Sequence, residues 1–208
     1  MRVLVSGNDT GIGKTFVCSF LCSQFADEED VFYLKPVETG SPSPQDAKQV
    51  KLANSNCSAA THFQFSEPLS PSFAAKAEGV SITFEEIAQR ALEDTGNHNI
   101  SIIEGAGGLA TPIDNKGNDW LDFANYLKVD YLILVVEDRL GAINQGRLLS
   151  SHLKTSSLCT GFWLNETKPQ DLVVKTSNLA ALSSDSTPIW AVQAYGKIHP
   201  DFTEFPWI

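Results

Sequence analysis

Positive charge is scarce in this chain of 208 residues: 15 lysines and arginines stand against 25 aspartates and glutamates, a formal net charge of -10 at pH 7. Such a surface repels a polyanion on average, so no nucleic-acid partner is expected and any anion site must be built locally. Long apolar runs are missing as well. No stretch reaches the ~18 residues needed to cross a bilayer, and no positively charged start leads into a short apolar core with a small-residue cleavage site. A cytoplasmic protein with no membrane role is the expectation. Cysteines number four, Cys18, Cys22, Cys57 and Cys159, without a CxxC pair, and His62, His98, His152 and His199 form neither HExxH nor a mixed Cys/His spacing. Isolated core or surface positions fit them better than a zinc or dithiol site.

What is present is the composition of a folded α/β chain, 42% hydrophobic and 19% charged. The length suits one domain over 1–208, able to bury about two-thirds of its surface. Short apolar runs alternate with segments of helical period, which predicts a doubly wound, mostly parallel sheet with helices on both faces. Met1 to Ser6, Val31 to Leu34, Ile100 to Ile103, Tyr131 to Val136 and Gly161 to Leu164 read as strands, with a last strand at Ile189 to Val192 completing the sheet. Val17, Phe20, Leu21 and Phe25 recur at helical spacing, as do Phe84, Ile87, Ala88, Ala91 and Leu92, the latter preceded by a Thr83/Glu86 capping box. SPSPQ (Ser41 to Gln45) and the Gly-rich stretch from Gly105 to Gly117 read as loops. In such sheets ligands bind beyond the carboxyl ends of the strands, so residues there carry the functional reading.

After the first strand comes GNDTGIGKT, Gly7 to Thr15, running into a helix. Glycines in that context let backbone N–H groups curl around phosphate oxygens, and the helix N-terminus adds positive potential. Lys14 would reach the β- and γ-phosphates and the Thr15 hydroxyl would ligate magnesium. Five residues separate Gly7 from Gly13, one more than the strict pattern allows. After the second strand comes KPVETGS, Lys35 to Ser41, followed by Asp46, and the third strand ends in EGAGGL, Glu104 to Leu109. Taken singly, Lys35 is a solvated strand-end lysine, Asp46 a helix cap and Glu104 a sheet-edge charge. Together, Thr15, Asp46 and Glu104 follow three different strands with oxygen donors and can converge on one hard cation beside nucleotide phosphates.

The series GNDTGIGKT, KPVETGS, EPLSP (Glu67 to Pro71), EGAGG followed by Thr111 and Pro112, and LGAIN (Leu140 to Asn144) resembles the motif series of the dethiobiotin synthetases. It spans roughly Met1 to Glu166, with the same lengthened phosphate loop. Each string is weak alone; five in order are specific. The resemblance implies a P-loop NTPase-like fold and an ATP- and magnesium-dependent ring closure of 7,8-diaminononanoate with carbon dioxide. It implies Lys14 and Lys35 as catalytic lysines, and Thr15, Asp46 and Glu104 as metal ligands. Gly11, Ile12, Gly13, Lys14, Thr15, Phe16, Asp46, Glu104, Gly105, Ala106 and Gly107 fall on its nucleotide site, with Asn165 and Glu166 near the base. Thr10 and Thr39 fall where the diamine and its carbamate bind. Ile143 and Asn144 open a helix that, in the family, reaches the substrate's far carboxylate from the partner subunit of a homodimer. WAVQAYG (Trp190 to Gly196) departs from the family pattern, which often has an Ile-Pro-containing adenine loop there.

Two rivals share the loop. Dimerising switch ATPases carry an extra lysine early in it, where this chain has Asn8, Asp9 and Thr10; amide-forming synthetases usually bring a glutaminase domain, for which the chain is too short. Lys35 is expected to act in the chemical step and not in folding, and the aromatic stretch Phe202 to Ile208 to dock on the core.

Overall fold

The computed structural model describes residues 1–25 and 30–207. Its strands are β1 (Arg2–Gly7), β2 (Val31–Thr39), β3 (Ser58–Phe65), β4 (Ile100–Glu104), β5 (Tyr131–Glu137), β6 (Thr160–Asn165), β7 (Ile189–Gln193) and β8 (Phe202–Thr203). The helices are α1 (Lys14–Phe25), α2 (Asp46–Ala53), α3 (Pro71–Ala77), α4 (Phe84–Thr95), α5 (Trp120–Leu127), α6 (Ala142–His152) and α7 (Leu172–Ser183). All strands form one sheet in the order β3-β2-β4-β1-β5-β6-β7-β8, parallel except for β8 against β7. β1 is central, and the order turns back at its two sides, the position where open α/β sheets leave a ligand crevice.

Strand alternation divides the core between the two faces. Val3, Val5, Tyr33, Ile102, Ile133, Val135 and Trp163 point to one face and pack under Val17 and Leu21 of α1 and Val50 of α2. Leu4, Leu34, Ile103, Leu132, Leu134, Phe162 and Leu164 point to the other, under Ala74 of α3, Ile87 of α4, Trp120 and Phe123 of α5, Leu149 of α6 and Leu182 of α7. The Thr83/Glu86 capping box is present, and Asp119 with Asp122 forms a second one at α5. Among the described residues no helix is long and apolar enough to cross a membrane.

Two expectations need correction. The strand at Ile189 does not complete the sheet: β8 lies outside it, and β3 forms the opposite edge. β3 (SAATHFQF) is half-buried nearly throughout and carries few large aliphatic residues, so its apolar signal is weak. β2 does not stop at Leu34. It continues through Lys35 and Pro36 to Thr39, pairing with β3 after its ladder with β4 has ended at Leu34 and Ile103. There one flank of β2 is unpaired, and a proline, which cannot donate to a ladder, is accommodated. Phe205 of the aromatic tail is buried in the α1-side core, stacked on Trp207, which also packs on Tyr131 and Trp190; Ile208 lies outside the described residues.

Candidate active site

The carboxyl ends of β1, β2 and β4 meet beneath the start of α1. Tyr33 and Lys35 share a face of β2, as Ile102 and Glu104 share a face of β4, and this is the face that α1 covers. The α1 side of the sheet is therefore apolar until its carboxyl edge, where it becomes charged. Lys35 Nζ lies 2.6 Å from Glu104 Oε1 and 2.7 Å from Asp46 Oδ2. Glu104 also accepts the Thr15 hydroxyl at 3.0 Å and the Tyr33 hydroxyl at 2.8 Å. Glu104 is 2% exposed and Lys35 5%. Burial works against the Lys35 ammonium, but Glu104 and Asp46 outweigh it and hold its pKa above the ordinary lysine value. Lys35 is thus a buried ion-pair partner of two carboxylates and not a solvated strand-end lysine.

The phosphate loop turns over this cluster. Gly13 has φ 94°, and a Cβ placed on it would lie 2.3 Å from Asn165 Nδ2, so only glycine fits. Lys14 bends back to donate to the Asp9 carbonyl at 2.6 Å. Burial, and after it the neighbouring Lys35 ammonium, brings Lys14 down to about 8. The first N–H groups of α1 have no partner within the helix, and such a helix start favours an anion. A cleft of about 400 Å³ opens here, lined by Thr10, Gly11, Gly13, Lys14, Thr15 and Phe16 of the loop, by Lys35, Glu38, Thr39, Asp46 and Glu104, and by Ala106 and Gly107. A second cleft, about 540 Å³, shares Thr10, Thr39, Ala106 and Gly107 with it and extends over Asp9, Pro68, Leu69 and Ser70. The two are contiguous.

Most of the expected residues converge on these clefts; some do not line them. The Ile12 side chain is buried in the α1-side core, and its carbonyl receives Asn165 Nδ2 at 2.7 Å. Gly105 lies against Trp120, with its carbonyl 3.5 Å from Lys35 Nζ. Glu166 accepts the backbone N–H groups of Gln170 and Tyr195 and the Lys175 ammonium. Despite its burial, those donors hold its carboxyl below the usual range. Ile143 and Asn144 open α6, which no side chain caps, and α6 is tied to the loop by Asn8 Nδ2 donating to Gln145 Oε1 at 2.9 Å. Sequence reasoning missed Tyr33 and Glu38. Tyr33 was findable, because two residues before Lys35 on a strand is the same face.

Among the described residues no group of three or more His, Cys, Asp or Glu is arranged to hold a metal by itself. The donors that do converge are two carboxylates and the Thr15 hydroxyl, all hard oxygens; the carboxylates already hold a cation, the Lys35 ammonium, and Thr15 bonds to one of them. That donor set fits a magnesium ion that takes its remaining ligands from phosphate and water.

Comparison with known proteins decides the family. A family model described as an AAA domain matches residues 1–199. The ATP-dependent dethiobiotin synthetase of Legionella pneumophila subsp. pneumophila (strain Philadelphia 1) is 30% identical over an alignment covering 94% of both chains. The chain belongs to the ATP-dependent dethiobiotin synthetase family. The synthetase of Lawsonia intracellularis is 36% identical over 76% of this chain and 72% of its own. Solved structures share the fold at low identity. The signal recognition particle receptor FtsY of Elizabethkingia anophelis superposes with a TM-score of 0.65 at 16% identity, covering 98% of this chain, which spans 60% of that one. A ParA family ATPase of Chlorobium tepidum gives 0.60 at 12%, covering 94% of this chain and 84% of its own.

Proposed function

We propose that this chain is an ATP-dependent dethiobiotin synthetase, closing the cyclic urea of dethiobiotin from 7,8-diaminononanoate, carbon dioxide and ATP. The observation that carries the reading, within a family that performs this ligation, is the contiguity of the two clefts at Thr10, Thr39, Ala106 and Gly107. ATP occupies the phosphate-loop cleft and the diamine the second. One amine adds to carbon dioxide and loses a proton, giving a carbamate held by Thr10 and Thr39. A carbamate oxygen attacks the γ-phosphorus, and ADP leaves. The second amine then attacks the carbonyl carbon of the mixed anhydride and expels phosphate.

Carbamate and γ-phosphate are both anionic and must be held in line, so the site's task is charge screening and alignment. Lys14 swings from the Asp9 carbonyl to the phosphates, and Lys35 spans carbamate and γ-phosphate. Thr15, Asp46 and Glu104 would hold magnesium, which neutralises charge on the phosphates when bound. Asn165, which braces the loop at the Ile12 carbonyl, stands on the base side of the nucleotide. The uncapped start of α6, flanked by exposed Leu140 and Leu148, supports a homodimer in which Ile143 and Asn144 meet the far carboxylate of the partner's substrate. The decisive experiment incubates purified protein with diaminononanoate, bicarbonate, magnesium and ATP and measures dethiobiotin by mass; folded protein giving no product refutes the reading.

A further inference from the structure

The first turn of α2 is capped from outside. Gln45, at its N-cap, makes no side-chain cap and donates instead from Nε2 to Ser43 Oγ at 2.8 Å. The N–H groups at the helix start are taken by Glu38, three residues after Lys35 on β2. Its Oε1 accepts Gln45 N at 2.7 Å and Asp46 N at 3.3 Å, and its Oε2 accepts the Thr61 hydroxyl at 3.4 Å. Glu38 is 4% exposed and lines the same cleft as Lys35, Asp46 and Glu104. A carboxylate buried to that degree is costly unless donors meet it, and a helix N-terminus is a favourable place for its charge. Here the donors belong to the backbone of Asp46 and of the residue before it.

We propose that Glu38 is a positioning residue for divalent-cation binding: by clamping the backbone N–H groups of Gln45 and Asp46 to β2, it fixes the Asp46 carboxylate opposite Glu104. The inference rests on the reading of Asp46 as a cation ligand. Glu38 Oε1 is shared by two backbone N–H groups at the start of α2, which makes its part in the site the orientation of Asp46. α2 is only eight residues long, and without the clamp the one side-chain tie left to its first residue is the Lys35–Asp46 ion pair. A cation that competes with the Lys35 ammonium for Asp46 then meets a carboxylate whose backbone is no longer held, while Lys14, Thr15 and Glu104 stay in place.

The test is manganese binding, read from the electron paramagnetic resonance of free Mn2+ with a non-hydrolysable ATP analogue present. Wild type, Glu38→Ala, Glu38→Gln and Asp46→Asn are compared. Loss of a group that orients a metal ligand typically weakens metal binding about 10- to 100-fold, and that rise in Kd is expected for Glu38→Ala. Glu38→Gln keeps an acceptor for both N–H groups and should shift less, in the same direction. Analogue affinity in EDTA should be unchanged, and in turnover the magnesium requirement should rise while kcat at saturating magnesium is largely kept. Wild-type manganese affinity in folded Glu38→Ala, with Asp46→Asn weakened, overturns the inference alone. If Asp46→Asn also binds manganese normally, the cation-site reading fails and takes the inference with it. Should Glu38→Ala not fold, an unshifted Glu38→Gln is the refuting result.

Discussion

Replacing Lys35 by glutamine should damage two things at once, and the structure separates them. The Lys35–Glu104 pair is 2.6 Å long, with side chains 6% and 2% exposed, whereas Asp46 is 25% exposed and contributes less. Removing one partner of a buried pair costs about 3 to 5 kcal/mol, because a charge is left without compensation. Glutamine retains a donor, and Glu104 keeps the Tyr33 and Thr15 hydroxyls, which puts the expected loss near the lower end, about 3 kcal/mol. For a chain of this size each kcal/mol moves the thermal midpoint by roughly 2–4 °C, so a fall of roughly 6–12 °C is expected in EDTA. Turnover should drop about a hundred- to thousandfold, as when an oxyanion donor is removed. Calorimetry with and without magnesium, beside product formation on the same preparation, reads both effects. Magnesium should restore part of the midpoint, since a cation between Asp46 and Glu104 replaces the missing charge. A midpoint in EDTA equal to that of wild type would refute the structural argument, and a near-normal rate would refute the catalytic one.

Lys14 gives a pH prediction. Its ligand-free value of about 8 lies below the 10.5 of an ordinary lysine, so between those values the unfolded chain binds more protons than the folded one. Ligand-free stability therefore gains from Lys14 as pH rises through that window. Phosphates favour the ammonium, so nucleotide binding at pH 8 should take up roughly half a proton, seen as a buffer-dependent binding enthalpy; buffer independence would contradict it. Asn165→Ala should raise the KM for nucleotide and leave turnover at saturation largely intact, and a collapse of turnover would mean that its brace on the Ile12 carbonyl matters more than any base contact. Activity should fall on dilution as sedimentation reports monomer, and a fully active monomer would rule out the shared site.

Much of the site was legible because its chemistry sits in short strings at strand ends. The phosphate loop, the Lys35 and Glu104 positions and the Thr83 cap each depend on neighbours within a few residues. What escaped depends on distance. β3 is an edge strand whose partial burial leaves no clean alternation, and β2 overruns a proline because its neighbour β4 ends first. Glu38 looked like one more polar residue in KPVETGS, and only the return of the chain at Gln45 gives it donors. The burial of Lys35 was likewise invisible, since its carboxylate partners lie 11 and 69 residues away in sequence.

The central place of β1 also bears on how the chain comes off the ribosome. Its neighbours are β4 and β5, which begin at Ile100 and Tyr131. At ~5–20 residues per second, β1 waits roughly 5 to 20 seconds for its first partner. The aromatic plug on the α1 side, Phe205 and Trp207, follows later still. Until β4 is made, Val3 and Val5 have no neighbouring strand to pair with, so the phosphate loop that follows β1 lacks its sheet support for that time. A nascent chain of this design has good reason to be shielded during translation, and slow codons before β4 would lengthen the exposure without altering the finished fold.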